Sequence, residues 1–195
     1  MNKTLVLFDF DGTITKRDTF IQFILFSEGY LKGIAGSVFF SPFIILYFLK
    51  IVDGTKLKQK LVSFYFKGKS EKELKDKGNK FIGKLTEENG FRNDILEQLR
   101  GYKEKNAVVC VVSASLDIWI EPFCKKFNIE YLCTGLDFRN DVCTGEFKGL
   151  NCNNAEKAVR IKGNYNLQSY SKIIAYGNGN GDKEMFELAS ETFLV

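Results

Sequence analysis

Two aspartates follow a short apolar run near the start of the chain. Residues 5–8 read Leu-Val-Leu-Phe, and Asp9, Asp11, Gly12 and Thr13 come directly after them. A buried strand has no structural need of two carboxylates at its tip, and close carboxylates raise each other's pKa unless a cation lies between them. The pair therefore indicates a Mg²⁺ site and a nucleophile next to an acid/base group.

The composition restricts which side chains could share this chemistry. The chain has 195 residues, a net charge of +4 and no histidine. Without histidine, proton transfer near neutral pH falls to Asp, Glu, Lys, Cys or Tyr. The chain has five cysteines, which is an odd number, and no two of them are spaced as C-x-x-C. Neither a disulfide framework nor a zinc site is therefore expected. The mild positive charge suits a small anionic molecule, no nucleic-acid partner is expected, and the oligomeric state stays open.

The elements that must position the aspartates alternate along the chain. Short runs that are apolar throughout predict strands of a parallel sheet covered on both faces, and amphipathic segments between them predict helices. The fold class expected is therefore α/β, with a Rossmann-like parallel sheet and helices on both faces. The predicted strands after the first are 107–112, 129–135, 172–176 and 192–195, with a hairpin over 137–147, and the predicted helices are 93–105, 116–127, 155–161 and 183–189.

Residues 16–92 interrupt this alternation because their pattern is helical throughout. Ser70 and Glu73 are spaced as a capping box that begins a helix. We therefore predict an α/β core domain formed by residues 1–15 and 93–195 and an inserted all-helical domain formed by 16–92.

The segment 31–52 inside this insertion is rich in Phe, Ile and Leu and has no charge between Gly33 and Leu49. It is short for a membrane span, and Ser41-Pro42 interrupts it, so a buried helical hairpin is the preferred interpretation. A surface that contacts a membrane without crossing it is the alternative.

Polar residues also follow two other predicted strands. Ser113-Ala114-Ser115 follows the strand at 107–112, and the segment 177–182 follows the strand at 172–176. Lys157 opens the helix before that last strand. Ligands of open parallel sheets bind beyond the carboxyl ends of the strands, so these residues are expected to meet Asp9 and Asp11.

Together these motifs resemble the haloacid dehalogenase superfamily of phosphotransferases over nearly the whole chain. Asp9 to Thr13 match its first motif, 111–113 the second, Lys157 the third and 177–182 the fourth. The helical insertion is similar to the cap of the branch that holds phosphoserine phosphatase, subfamily IB. Within it, residues 112–117 and 149–157 are most similar to bacterial hydrolases that include a phosphatidylglycerophosphate phosphatase.

The resemblance implies a role for each matched residue. Asp9 would be the nucleophile that forms an aspartyl-phosphate, and Asp11 would protonate the leaving oxygen and then deprotonate water. Gly12 would allow a tight turn of the backbone around the phosphate. Ser113 and the amide of Ala114, at the start of the next helix, would bind phosphate oxygens, and Lys157 would neutralise charge and hold Asp9. Mg²⁺ would be bound by Asp9, Asp11, Asn178 and Asp182.

The sequence also departs from the family pattern. Asn178 stands where most members carry a metal-binding aspartate, so the affinity for Mg²⁺ should fall, and Asp182 could ligate directly, act through water or pair with Lys157. Asn178 could be a tolerated variant, an engineered substitution or the mark of a regulatory relative. Asp18 falls where phosphoserine phosphatases place a glutamate that meets the substrate amine, and Ser115 stands where they commonly have glycine.

The function predicted is that of a Mg²⁺-dependent phosphomonoesterase acting through an aspartyl-phosphate on a small phosphorylated metabolite, as phosphoserine phosphatase does. The first alternative is a lipid phosphate phosphatase whose apolar cap meets the lipid. The second is a catalytically weak phosphate-binding or regulatory relative, because of Asn178. A cytoplasmic location is expected, with peripheral membrane contact through the cap under the lipid alternative.

Overall fold

The computed structural model describes residues 3–49 and 53–195 and places six strands in one sheet. The strand order is β4-β3-β2-β1-β5-β6, and every neighbouring pair is parallel except β3 with β4. The prediction of an α/β fold with a largely parallel sheet is confirmed. The strands are β1 Thr4–Phe8, β2 Val108–Leu116, β3 Glu130–Arg139, β4 Val142–Lys148, β5 Lys172–Gly177 and β6 Glu191–Leu194.

The central strand β1 is buried on both faces, as its unbroken apolar sequence predicts. Leu5 and Leu7 point into one apolar cluster, and Val6 and Phe8 point into the other. This follows from the two-residue period of a strand, which sends successive side chains to opposite faces. The strand is flanked by β2 and β5, so its carboxyl end opens between two other strand ends.

Eight helices accompany the sheet in the described part of the chain, and five of them lie between β1 and β2, four at 19–87 and one at 93–104. The first of these is interrupted at Gly29, whose φ of 80° and ψ of 160° are not helical. The helices are α1 Thr19–Phe39, α2 Ser41–Phe48, α3 Gly54–Phe66, α4 Glu71–Glu87, α5 Asn93–Glu104, α6 Asp117–Phe127, α7 Ala155–Asn164 and α8 Lys183–Phe186.

The inserted helices pack tightly on the core. The ring of Trp119 on α6 lies 4.6 Å from the ring of Phe23 on α1 and 6.3 Å from that of Phe81 on α4. One apolar cluster therefore runs from the sheet into the helical insertion. The division into a core of 1–15 and 93–195 and a cap of 16–92 stays a prediction.

The apolar segment 31–52 forms a helical hairpin up to Leu49, and residues 50–52 lie outside the described part. The chain turns at Phe40, and Pro42 stands in the first turn of α2, where proline is tolerated. The prediction that this hairpin is buried is wrong in part, because Leu31 is 87% and Leu49 63% exposed. Within residues 3–49 and 53–195, we find no helix with both the length and the apolarity that a bilayer span requires.

Some boundaries differ from the sequence prediction at the edge where the site lies. Strand β2 continues to Leu116, so Ser113 and Ala114 belong to the strand and helix α6 begins only at Asp117. The register between β2 and β3 shifts between Ser113 and Leu116, which explains how the strand continues through polar residues. The predicted helix 183–189 ends at Phe186.

The contact of α4 with α6 depends on a glycine, which gives a test of how the insertion is held. A Cβ atom on Gly78 would lie 1.7 Å from the carbonyl oxygen of Ile118, whereas one on Gly83 of the same helix would meet open space. We expect Gly78→Ala to lower the free energy of unfolding by about 1–3 kcal/mol through overpacking. Gly83→Ala should raise it by about 0.5–1 kcal/mol through helix propensity.

Urea denaturation of both variants measures this difference. Equal effects of the two substitutions would contradict a close backbone approach between α4 and α6.

Candidate active site

Three parallel strands bring the predicted residues to one edge of the sheet. Asp9 follows β1, Ser113 lies near the end of β2, and Asn178 follows β5. Helix α7 starts beside this edge and carries Lys157 in its first turn. Because these strands are neighbours and run in the same direction, their carboxyl ends form a single cleft.

A buried ion triad lies at the centre of the cleft. Lys157 Nζ donates to Asp9 Oδ1 and to Asp182 Oδ1, each at 2.6 Å. All three side chains are buried. Burial raises the pKa of Asp9, and the charge of Lys157 opposes that rise. Burial alone would lower the pKa of Lys157, but Asp9 and Asp182 raise it above its usual value, so the lysine stays charged.

The second aspartate is held by different partners. Asp11 Oδ1 accepts from the backbone N–H of Thr19 at 2.7 Å and from its hydroxyl at 2.6 Å, and Oδ2 accepts from Ser115 Oγ. Burial raises the pKa of Asp11 to about 6, and the charge of Asp18 raises it as well, while the hydrogen bonds from Ser115 and Thr19 lower it. Asp11 is therefore near the midpoint of its titration in mildly acidic solution.

Gly12 makes the turn that separates the two aspartates. Its φ is +75°, and a Cβ atom there would lie 1.9 Å from Nδ2 of Asn178. Glycine is therefore required both for the backbone conformation and for the approach of Asn178. Nδ2 of Asn178 donates to the backbone carbonyl of Asp11 at 2.8 Å.

Asp182 holds the lysine and the loop after β5 together. Its Oδ2 accepts from the backbone N–H groups of Asn178 at 3.0 Å and of Gly179 at 3.3 Å, while Oδ1 accepts from Lys157. Of the three roles considered for Asp182, the structure displays the pairing with Lys157. No group of three or more carboxylate, thiol or imidazole side chains suited to a metal occurs among the described residues.

Ser113 is buried in β2 and its Oγ accepts from the backbone N–H of Ser115 at 3.0 Å. The hydroxyl proton of Ser113 is therefore available to an acceptor in the cleft. The expectation that Ala114 opens a helix is wrong, because the strand continues past it. The carbonyl of Ala114 accepts a hydrogen bond from Lys58 on α3.

Asp18 lies beside the cleft as the N-cap of α1. Its Oδ1 accepts from the backbone N–H of Phe20 at 2.9 Å. Asp18 also lines a cavity of about 350 Å³ that opens from Asp11 toward the inserted helices. The other residues lining this cavity are Phe20, Ile21, Gly54, Thr55, Leu57, Lys58, Leu61, Ala114, Ser115, Asn151 and Asn153.

The sequence analysis assigned no role to four polar residues of the site, although it named Thr13 in the first motif and Ser115 after the second strand. Thr13 Oγ1 donates to Asp9 Oδ2 at 3.0 Å, while Thr19 and Ser115 hold Asp11. Thr13 ends the first motif, and Ser115 lies two residues after Ser113, a spacing that shares one face of a strand, so both had a usable signal. Lys58 had none, because it is one of many lysines in the insertion.

Comparison with known proteins places this cleft in context. The family model described as haloacid dehalogenase-like hydrolase matches residues 6–187. Protein CicA of Caulobacter vibrioides is 30% identical over 189 residues, which cover 96% of this chain and 83% of CicA.

Solved structures agree in fold at low identity. A protein of unknown function from Bordetella pertussis Tohama I aligns with a TM-score of 0.86 at 17% identity, over 100% of this chain and 90% of that one. A substrate-bound phosphoserine phosphatase aligns with a TM-score of 0.67 at 19% identity, over 98% and 85%.

The ion triad predicts that substitutions of two lysines on α7 lower the stability of the protein by unequal amounts. Lys157→Met leaves two buried carboxylates without a counter-charge, and we expect the free energy of unfolding to fall by about 3–5 kcal/mol. Loss of Lys157 also raises the pKa of Asp9 further above its unfolded value. The resulting loss in the free energy of unfolding is small below pH about 4, which is the pKa of an aspartate in the unfolded chain, and it grows as the pH rises.

Denaturant unfolding at pH 5 and pH 8 measures both effects, with exposed Lys162→Met as the matched control. A deficit no larger than that of the control, or one that shrinks as the pH rises, would contradict the triad.

Proposed function

The chain belongs to the haloacid dehalogenase-like hydrolase family, and on that premise we propose that it is a Mg²⁺-dependent phosphomonoesterase in which Asp9 is the nucleophile. The observation that carries the proposal is the placement of Asp9 against Lys157 at 2.6 Å, with Asp11 at the same strand end. The charge of Lys157 favours the ionised form of Asp9 against the effect of burial, and an ionised carboxylate is what attacks phosphorus.

The proposed reaction has two steps that use Asp11 in opposite directions. A carboxylate oxygen of Asp9 bonds to phosphorus while the bond to the substrate alcohol breaks, and protonated Asp11 gives its proton to the leaving oxygen. Water then attacks the aspartyl-phosphate and gives a proton to Asp11, which releases inorganic phosphate and restores Asp9. A pKa of Asp11 near 6 suits a group that must occupy both states.

The remaining residues of the site would bind the phosphate. Ser113 can donate its hydroxyl proton, and backbone N–H groups after the turn at Gly12 can do the same. The backbone N–H of Ala114 in β2 would be a further hydrogen-bond donor to the phosphate. Lys157 neutralises the charge that collects on Asp9 and on the phosphate oxygens.

The oxygen donors of the cleft fit Mg²⁺, which prefers hard oxygen ligands. The Asp9 carboxylate, the Asp11 backbone carbonyl and the side-chain amide of Asn178 belong to one turn region, and a half-turn of the amide would exchange its nitrogen for its oxygen. Mg²⁺ held there would neutralise phosphate charge. Asp182 would act by fixing Lys157 and the loop of Asn178, or through water.

A second candidate substrate is a lipid phosphate, which the hairpin surface favours. Four apolar side chains are exposed there: Leu31 on α1, Ile45 on α2, Leu49 in the turn after α2 and Phe64 on α3. Helices α1 and α3 also give the cavity apolar walls through Phe20, Ile21, Leu57 and Leu61. An apolar surface beside an apolar-walled cavity suits a phosphate whose alcohol carries acyl chains.

Release of phosphate from p-nitrophenyl phosphate tests the reaction. We expect activity that depends on added Mg²⁺ and falls at least about 10³-fold in Asp9→Asn, because the amide is no nucleophile. Asp94→Asn on exposed α5 is the matched control and should match the unmodified protein. Asn178→Asp should lower the Mg²⁺ concentration needed for half-maximal rate.

The same assay separates the alternatives. Activity that appears only in Asn178→Asp would identify the native chain as a phosphate-binding relative. Equal rates for Asp9→Asn and the unmodified protein would rule out the proposed nucleophile.

Co-sedimentation with vesicles tests the lipid candidate. We expect binding to vesicles that contain phosphatidylglycerol and a loss of at least about fivefold in Leu49→Glu, because a charge on an inserted apolar surface is costly. Val159→Glu on α7 is the matched control, since Val159 is 60% and Leu49 63% exposed. If the protein does not bind these vesicles, the lipid candidate is wrong and the small metabolite remains.

A further inference from the structure

Ser115 supplies a hydroxyl group that contacts the second aspartate from the core. Its Oγ donates to Oδ2 of Asp11 and lies 3.1 Å from Oγ1 of Thr19. Ser115 and Thr19 are buried, and Ser115 lines the same cavity as Asp11. Glycine, which phosphoserine phosphatases commonly have at this position, would leave Oδ2 of Asp11 without this donor. The contact is therefore a feature of this chain's own sequence.

The two oxygens of the Asp11 carboxyl group have different surroundings. Oδ1 accepts from the backbone N–H of Thr19 at 2.7 Å and from its hydroxyl at 2.6 Å. These two donors fill the two lone-pair positions of that oxygen. Within residues 3–49 and 53–195, Oδ2 has one hydrogen-bond donor, which is Ser115. When Asp11 carries a proton, the proton is therefore on Oδ2, next to Ser115.

Strand β2 fixes where the hydroxyl of Ser115 lies. The backbone N–H of Ser115 donates to Oγ of Ser113 at 3.0 Å, in the stretch where the register with β3 is irregular. Ser113 is the residue that would donate its hydroxyl proton to the phosphate in the proposed function. This hydrogen bond therefore relates the phosphate site to the oxygen of Asp11 that Ser115 contacts.

Ser115 keeps a hydrogen-bond partner in both protonation states of Asp11. A hydroxyl group has one proton and two lone pairs. While Asp11 is ionised, Ser115 gives its proton to Oδ2, and Thr19 gives its own to Oδ1. When Oδ2 is protonated, the proton of Ser115 can turn to Oγ1 of Thr19, which is 3.1 Å away. Oδ2 can then give its proton to another group without any rotation of the carboxyl group.

We propose that Ser115 is a positioning residue that holds Oδ2 of Asp11 toward the leaving oxygen of the substrate. This inference rests on the proposed function, because it assumes that Asp11 protonates that oxygen. As phosphorus bonds to Asp9, the electron pair of the broken P–O bond stays on the leaving oxygen, which takes the proton from Oδ2. Ser115 then donates to the ionised Oδ2, and it turns back to Thr19 when water returns a proton there.

Two aryl phosphates of similar shape test the inference. p-Nitrophenolate is a stable leaving group that scarcely needs a proton, whereas unsubstituted phenolate is less stable and needs one. Ser115→Ala should lower kcat/KM for phenyl phosphate roughly 10- to 100-fold, because a general acid contributes about 10²- to 10⁴-fold and a displaced one keeps part of that effect. For p-nitrophenyl phosphate the fall should be less than threefold, which also shows that the variant is folded.

Two further variants serve as controls. Ser115→Thr keeps the hydroxyl group and should retain more of the rate on phenyl phosphate than Ser115→Ala does. Ser169→Ala is the matched control, because Ser169 is exposed and its hydroxyl donates to the carbonyl of Asn166 at 2.7 Å. It should change neither rate. Equal losses on the two esters in Ser115→Ala, or no loss on either, would overturn the inference.

Calorimetry with inorganic phosphate separates positioning of Asp11 from phosphate binding. We expect the Kd for phosphate of Ser115→Ala to lie within threefold of that of the unmodified protein, because Ser115 acts on Asp11. A larger increase in this Kd would identify Ser115 as a phosphate ligand and would contradict its role as a positioning residue.

The same rates distinguish failure of this inference from failure of the proposed function. If the unmodified protein releases phosphate from both esters and Ser115→Ala lowers both rates equally, the inference is wrong and the phosphatase proposal stands. If the unmodified protein releases phosphate from neither ester, the proposed function is wrong and the inference fails with it.

Discussion

The buried pair of contacts from Lys157 to Asp9 and Asp182 is the constraint on which the rest of the site depends. Two carboxylates removed from water are tolerated only with a counter-charge and further hydrogen bonds. Lys157 supplies the charge at 2.6 Å to each, while Thr13 and the N–H groups of the loop after β5 supply the hydrogen bonds. Helix α7, strand β1 and that loop must therefore keep their relative positions. The charge of Lys157 therefore links the stability of the folded core to the ionisation of Asp9.

Much of this arrangement follows from the sequence because strands impose a simple rule. A run that is apolar on both faces predicts a central parallel strand, and the polar residues after it are then placed at the edge of the sheet. That rule alone brought together Asp9, Ser113 and Asn178, since β1, β2 and β5 are neighbours. It failed at the end of β2, where an irregular register keeps Ala114 in the strand.

The side chains that tune Asp11 follow from no such rule. Thr19 is eight residues away in the chain, and Lys58 reaches the cavity only because α3 packs beside β4 and the end of β2. Tertiary contacts of this kind depend on how the inserted helices dock on the sheet. The spacing of apolar residues shows which face of a helix is buried, but it does not show where on the sheet the helix packs. One lysine among many in the insertion was therefore not singled out.

Helix α3 has one buried face and one exposed face, and the two faces have different neighbours. Leu61 and Tyr65, four residues apart, are buried, whereas Lys60 and Phe64, also four residues apart, are exposed. The inner side reaches the cavity through Lys58 and Leu61, and the outer side joins the exposed hairpin, where the ammonium of Lys60 lies 4.7 Å from the ring of Phe43. The lining of the cavity and the contact with the hairpin are therefore formed by different residues of one helix. Because residues four apart share one face of a helix, the buried pair Leu61 and Tyr65 and the exposed pair Lys60 and Phe64 mark two different faces of α3.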